Sequence, residues 1–176
     1  MTIRAAQEKH FTASDGASLF YRHWPGDGPN AVVLFHRGHE HSGRLQEVVD
    51  GIGLEGYHFF AWDARGLGRS PGVRGYADNF GVFMKDADTF VRHICETYGI
   101  AVENMAVVSQ SVGAVIAAAW VHDYAPRIRC LVLAAPAFKV KLYIPLARPS
   151  LALLQKFKPV SFVNSYVKAK FLTHDQ

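Results

Sequence analysis

Apolar residues in the first three quarters of the chain follow two alternating rhythms. Four short, nearly continuous apolar runs occupy residues 31–36, 58–62, 105–109 and 129–135. Runs of that length and composition predict strands buried on both faces. Between them lie longer stretches with helical spacing. Residues 42–55 place Leu45, Val48, Val49 and Ile52 on one face, with Ser42 as the expected cap. From Asp78 or Asn79 a second helix carries Phe80, Phe83, Ala87, Phe90, Val91, Ile94 and Tyr98 on one stripe. Residues 112–124 predict a third helix. Buried strands alternating with amphipathic helices imply an α/β fold, a mainly parallel, doubly wound sheet with right-handed crossovers. Residues 10–14 and 18–24, split by Asp15-Gly16, read as an antiparallel hairpin at one edge.

The rhythm changes after Pro136. No acidic residue occurs from Phe138 to Phe171, where seven lysines and arginines are scattered among aromatic and aliphatic residues and Pro145, Pro149 and Pro159 interrupt the chain. Short amphipathic helices and loops are expected there. The boundaries that follow are a core over 1–137 and a distinct region over 138–176.

The third strand runs straight into the third helix through Val107-Val108-Ser109-Gln110-Ser111-Val112-Gly113. A serine on such a strand–turn–helix junction matches the setting of a nucleophile elbow, whose pattern is G-x-S-x-G. Small residues are needed two positions to either side because the turn is tight. The hydroxyl then projects above the sheet at a helix N-terminus, where developing negative charge is favoured. Gly113 keeps the second small position, and Ser109 takes the place of the first glycine.

Composition narrows the alternatives. At 176 residues, 49% hydrophobic and 19% charged, the chain is sized for one packed domain. A net charge of +4 gives no reason to expect a nucleic-acid partner. Cys95 and Cys130 lack CxxC spacing and are expected as small buried hydrophobes. Neither a signal-peptide pattern nor an apolar run of membrane-spanning length is present, so the expected address is the cytoplasm.

Three loops carry a family resemblance. His36-Arg37-Gly38-His39-Glu40-His41-Ser42-Gly43-Arg44 resembles the H-G-x-G-E-H-S-G-R loop of monoacylglycerol lipases and bacterial lysophospholipases. The segment from Asp63 to Gly72 is similar to their D-x-R-G-x-G-x-S-x-G loop, and Phe171-Leu172-Thr173-His174-Asp175 to a segment of the bacterial cap. The resemblance implies an α/β-hydrolase fold, truncated after the start of a cap over 138–176. It implies a serine hydrolase acting on carboxylic esters, with a small-molecule or lipid ester as substrate and no cofactor. Ser111 would be the nucleophile. The backbone N–H groups of Val112 and Gly38 would form the oxyanion hole, each worth roughly 3–4 kcal/mol in the transition state. His36, Glu40, His41 and Asp63 would support the loops. Arg37 departs from the family glycine, and a side chain there is expected to crowd or reorient the oxyanion loop.

In this fold the triad acid and base follow the serine on later loops. His122 and Asp123 are expected to point away from Ser111, and His174-Asp175 sits at the C-terminus. The alternative is therefore a catalytically inactive hydrolase-fold fragment or binding protein. Missing later strands would expose a sheet edge and favour dimerisation. The basic, aromatic stretch 138–171 would suit peripheral membrane contact, or equally an ordinary amphipathic cap whose lysines lay their apolar stems along the surface. The histidines at 36, 39 and 41, with Glu40 and Asp63, could suggest a metal, but the loop resemblance accounts for the same residues and no metal is expected. Gly51-Ile52-Gly53-Leu54-Glu55-Gly56 spells GxGxxG but ends a helix, so it is not read as a dinucleotide site.

Overall fold

The computed structural model describes residues 4–74 and 76–138, together with Leu153, Lys156 and Phe157. Its coordinates divide into two compact units, Met1–Phe138 and Lys139–Gln176. In the second, the three described residues are helical and exposed. The readings made on the rest of 139–176, including its lipid contact and the cap segment at Phe171–Asp175, lie outside the described residues.

The first unit is built on a six-stranded sheet. Its strands are β1 (Gln7–Thr12), β2 (Ser18–Trp24), β3 (Ala31–Phe35), β4 (His58–Trp62), β5 (Met105–Gln110) and β6 (Cys130–Ala134), in the order β1-β2-β4-β3-β5-β6. β1 pairs antiparallel with β2, and β2 antiparallel with β4. The β4–β3, β3–β5 and β5–β6 ladders are parallel. The helices are α1 (Gln46–Ile52), α2 (Phe80–Tyr98) and α3 (Val112–Tyr124). This is the mixed sheet of an α/β-hydrolase, with the antiparallel hairpin leading.

Strand alternation explains why the central runs are apolar throughout. Val33 and Phe35 of β3 enter one core with Phe60, Trp62, Val107, Phe90 of α2 and Ile116, Ala117 and Trp120 of α3. Val32 and Leu34 turn to the other face and meet Trp24, Phe59, Ala61 and Val49 of α1. A strand covered on both sides has no position for a polar residue.

The structure departs from the sequence reading in several places, beginning with the first strand of the hairpin, which spans Gln7–Thr12 where 10–14 was expected. The helix expected over 42–55 begins as a 3-10 turn, Ser42–Leu45, before α1. Ser42 is not its cap: the Ser42 N–H donates to Asp63 at 2.6 Å and its hydroxyl accepts from Arg22 at 2.7 Å. Those bonds bury Ser42, and the imidazole of His41 caps the turn instead, accepting from the Gly43 N–H at 3.2 Å. Gly53, left-handed at φ 64°, then stops α1 three residues earlier than expected. Finally, Cys130 is exposed and Cys95 only half-buried. Cys130 opens β6, an end strand whose residues are all exposed or half-exposed.

Candidate active site

The C-terminal ends of β3, β4 and β5 lie side by side, and each feeds a loop singled out from the sequence. Ser111 stands between β5 and α3 with φ 56° and ψ −119°. No ordinary L-residue favours that conformation, which costs roughly 1–3 kcal/mol. Three contacts hold the turn. The Ser111 N–H donates to the Ala134 carbonyl at 3.0 Å, and the Ser111 carbonyl accepts from Val115 and Ala137, each at 3.3 Å. Gly113 faces β3: a Cβ there would collide with the His36 carbonyl oxygen and lie 2.8 Å from that of Phe35. Ser109, at the other small position, is buried and donates its hydroxyl to the Val132 carbonyl of β6 at 3.1 Å. Its side chain is used to tie β5 to β6.

The loop after β3 approaches the same turn. A Cβ on Gly38 would sit 3.4 Å from Val112 Cγ1, so the Gly38 backbone packs against the Val112 side chain. His36 organises this loop. Its Nδ1 donates to the Arg37 carbonyl at 2.7 Å, and its Nε2 accepts from the Ala64 N–H at 3.0 Å. Both ring nitrogens are thereby committed, and burial holds the imidazole below its ordinary pKa, in the neutral form that this pattern needs. The Arg37 carbonyl belongs to the same peptide as the Gly38 N–H, so the His36 bond sets the direction of that N–H. His39 follows at φ 63°, left-handed and exposed.

Arg37 does not crowd the loop. Its guanidinium is half exposed and turned to Glu40, 2.7 Å away, which holds the Glu40 carboxyl below its ordinary range. The expected disruption is absent because the long side chain reaches solvent and a partner within the loop.

The loop after β4 is tied in by Asp63, which is fully buried. One oxygen accepts from the Ser42 N–H at 2.6 Å and the other from the Arg69 N–H at 2.8 Å. Gly68, at φ 54°, leaves the space that the carboxylate fills. Ser70 donates to the Asp63 carbonyl at 2.5 Å and accepts from the Phe20 N–H at 2.9 Å, joining the loop to β2. Arg65, which the sequence reading did not single out, holds Asp86 of α2 through two bonds of 3.0 and 2.9 Å and reaches Asp15 of the leading hairpin at 2.8 Å. These carboxylates raise the Arg65 pKa further and keep it charged. The signal for it was the D-x-R-G pattern, whose arginine finds its partner only once α2 is in place.

Beside the Val112 and Gly38 backbones opens an apolar cavity of about 220 Å³. Trp62, Leu67, Phe80, Phe83, Val112 and Ile116 supply its hydrocarbon walls. Among the described residues no group of three or more histidines, cysteines or carboxylates could hold a metal ion. None of their helices is long and apolar enough to cross a membrane. No imidazole among them hydrogen-bonds Ser111. His122 pairs with Asp123 at 2.7 Å on the exposed side of α3.

Comparison with known proteins identifies the family. Residues 28–176 match the family described as Serine aminopeptidase, S33. The "uncharacterized protein YnbC" of Escherichia coli (strain K12) is 54% identical over 176 residues, covering 98% of this chain and 30% of that protein. A monoacylglycerol lipase of Mycolicibacterium smegmatis is 31% identical over 144 residues, covering 78% of this chain and 49% of the lipase. Among solved structures, a soluble variant of monoglyceride lipase from Saccharomyces cerevisiae, in complex with a substrate analog, superimposes with a TM-score of 0.70. Its identity is 25%, over 97% of this chain and 58% of that one. The chain thus spans less than half the length of the two curated relatives.

Proposed function

The chain belongs to the serine aminopeptidase S33 family of α/β-hydrolases, lipase-like hydrolases among its relatives, and from that premise we propose that Ser111 is the nucleophile of a carboxylic-ester hydrolase acting on lipid esters of the monoacylglycerol or lysophospholipid class. The observation that carries this reading is the strained backbone of Ser111, φ 56° and ψ −119°, braced by the fit of Gly113 against the end of β3. A protein has little reason to hold a serine in that conformation except to present its hydroxyl.

On this reading Ser111 Oγ attacks the ester carbonyl and loses its proton to a general base. The negative charge that develops on the carbonyl oxygen is met by the N–H groups of Val112 and Gly38. Val112 opens α3, so its N–H has no partner within the helix and the helix dipole favours the anion. The Gly38 N–H is directed by the His36 bond to the Arg37 carbonyl. Asp63, Glu40 and His41 support the loops and do not touch the substrate. Collapse of the tetrahedral intermediate expels the alcohol, protonated by the same base, and leaves an acyl-serine for water to hydrolyse. In this fold the base and its carboxylate follow the nucleophile in chain order.

A second reading is a hydrolase-fold binding protein without turnover. It is favoured by the turning away of His122 and Asp123 from the site. One experiment separates the two: measure hydrolysis of nitrophenyl butyrate and labelling by a fluorophosphonate, with and without Ser111→Ala. Turnover and labelling that both vanish in the variant support the hydrolase. Turnover that survives the substitution overturns the assignment of Ser111, and silence of the unmutated protein in both assays favours the binding protein.

A further inference from the structure

The ester reading leaves open which alcohol the ester carries, and a second cavity, on the α1 side of the sheet, bears on that choice. Along β5, Met105 and Val107 enter the core under α2 and α3, while Ala106 and Val108 pack against the cluster beneath α1. Strand alternation therefore turns Gln110, the residue before Ser111, to the α1 side, where it is exposed. There it joins Arg37 and Glu40 of the oxyanion loop, Arg44 of the 3-10 turn and Glu47 of α1 around a polar cavity of about 390 Å³. We propose that this cavity is a subsite for the head group of a zwitterionic phosphodiester, with Arg37 and Arg44 on its phosphate and Glu47 on its ammonium; this rests on the reading of Ser111 as the nucleophile.

The lining carries two charges of each sign, and they are unequally committed. Arg37 and Glu40 form an ion pair at 2.7 Å, which raises the pKa of the arginine and lowers that of the carboxyl, so both stay charged. The pair engages one terminal nitrogen of Arg37, Nη2, and leaves half of that side chain exposed. Arg44 lies close enough to lower the Glu40 carboxyl further. Arg44 and Glu47 are both exposed, and among the described residues neither side chain has an ion-pair partner. Arg37 also stands where the loop it resembles carries glycine. The second guanidinium is thus a feature of this chain and not of the loop pattern.

These charges discriminate among alcohols. The hydroxyls of a plain glycerol replace water at four ionised groups without improving on it, and stripping water from such groups is costly. A phosphate is different, because its oxygens match the planar fork of a guanidinium. A phosphomonoester would bring close to two negative charges into a lining whose own charges cancel, with Glu40 and Glu47 opposing it. A phosphodiester joined to an amine brings one charge of each sign. Its phosphate meets the two arginines, and its ammonium meets the uncommitted Glu47. Gln110 bridges the two ends, since its amide stands one residue from Ser111 and can both donate to and accept from the glycerol between ester and phosphate.

Two readouts test this, one with turnover and one without it. Hexanoyl lysophosphatidylethanolamine and monohexanoylglycerol share an acyl chain and differ in head group. Arg44→Gln should lower kcat/KM for the first by roughly tenfold, the loss of one charge-assisted hydrogen bond, and leave the second within about twofold. Equal losses on both esters, or none on either, overturn the proposal.

Binding is read separately from phosphorus NMR line broadening of glycerophosphoethanolamine and of glycerol phosphate. The unmutated protein and Ser111→Ala should broaden the glycerophosphoethanolamine signal alike, and Arg44→Gln should remove that broadening. Glu47→Gln should weaken glycerophosphoethanolamine while strengthening glycerol phosphate, since it removes an opposing carboxylate. No broadening by the unmutated protein, or broadening that both substitutions leave intact, overturns the subsite whatever Ser111 does. Loss with Arg44→Gln but no discrimination by Glu47→Gln overturns the zwitterionic assignment. Broadening without turnover of either ester leaves the subsite standing and removes the nucleophile.

Discussion

At the scale of single residues, the site is a problem of fitting a strained serine against the strands beside it. Gly113 carries most of that fit, since any side chain there meets the backbone oxygens of Phe35 and His36. Gly113→Ala is expected to lower unfolding stability by about 2–4 kcal/mol, read from urea denaturation, because the helix must move off β3 to admit one methyl. A loss below about 0.5 kcal/mol would mean that the junction is looser than its geometry indicates. Ser109 illustrates the opposite case. The nucleophile pattern asks only for a small residue at that position, and a hydroxyl on a buried strand finds a use in its neighbour's carbonyl. Arg37 belongs with it. Sequence reasoning takes a large residue in place of glycine as an obstacle, but the side chain leaves the loop for solvent and for Glu40. Both outcomes depend on where a side chain can go, which sequence spacing does not encode.

At the scale of elements, the hydrophobic rhythm was a faithful guide. β2, β4 and α3 begin and end where the pattern places them, because a strand buried on both faces and a helix between apolar stripes leave little choice of boundary. The 3-10 start of α1 was not legible, since it follows from Asp63 and Arg22 drawing Ser42 inward from 21 and 20 positions away in sequence. The cavity walls were hidden for the same reason: Phe80 and Phe83 read as core residues of α2, and only the docking of that helix brings them to the site. A further contact between elements joins β2 to β4. His23 Nε2 lies 2.9 Å from His58 Nδ1, which also accepts from the Gly26 N–H, so the proton between the rings belongs to His23. His23 is buried, stacked on Phe60 at 4.4 Å with Tyr98 edge-on at 4.5 Å, and its Nδ1 has no partner among the described residues.

Burial first, and then the proximity of His58 and Lys9, push the His23 pKa down from 6.5 to about 4. His58 is lowered by burial in the same direction, against the opposing pull of Asp27. The unfolded chain therefore binds more protons than the folded one between those values, and stability rises with pH across that window. It is fully present above about pH 6.5 and is lost as pH falls toward 4. For His23 alone the loss is of order 2–3 kcal/mol. His23→Phe, which keeps the stack on Phe60, should flatten the melting temperature against pH between 4 and 6.5 relative to the unmutated protein. A slope that persists unchanged in that variant would place the acid sensitivity in His36, His58 and His93, which burial also lowers.

At the scale of the molecule, the sheet formed by the described residues is protected at one end and, among those residues, open at the other. β1 closes the first end as half of a hairpin, and Arg22 and Arg69 both reach Glu8 on that strand, placing charge along the edge. β6 has neither device. It pairs with β5 alone among the described residues, carries no charge and no proline, and leaves Val132 47% exposed. An edge strand with those properties presents unpaired N–H and C=O groups to any extended partner. Two copies meeting antiparallel about Val132 would set Cys130 of each opposite Ala134 of the other, bringing small side chains together without a clash. Self-association through β6 should therefore appear as a concentration-dependent rise in mass by sedimentation velocity. Val132→Lys, which places a charge at the centre of the edge, should shift the midpoint at least tenfold upward in concentration. Because Val132 is already half-exposed, the substitution is expected to change unfolding stability by less than about 0.5 kcal/mol, so the loss of association would reflect the edge and not the fold. Association unaffected by the lysine would assign the contact to another surface.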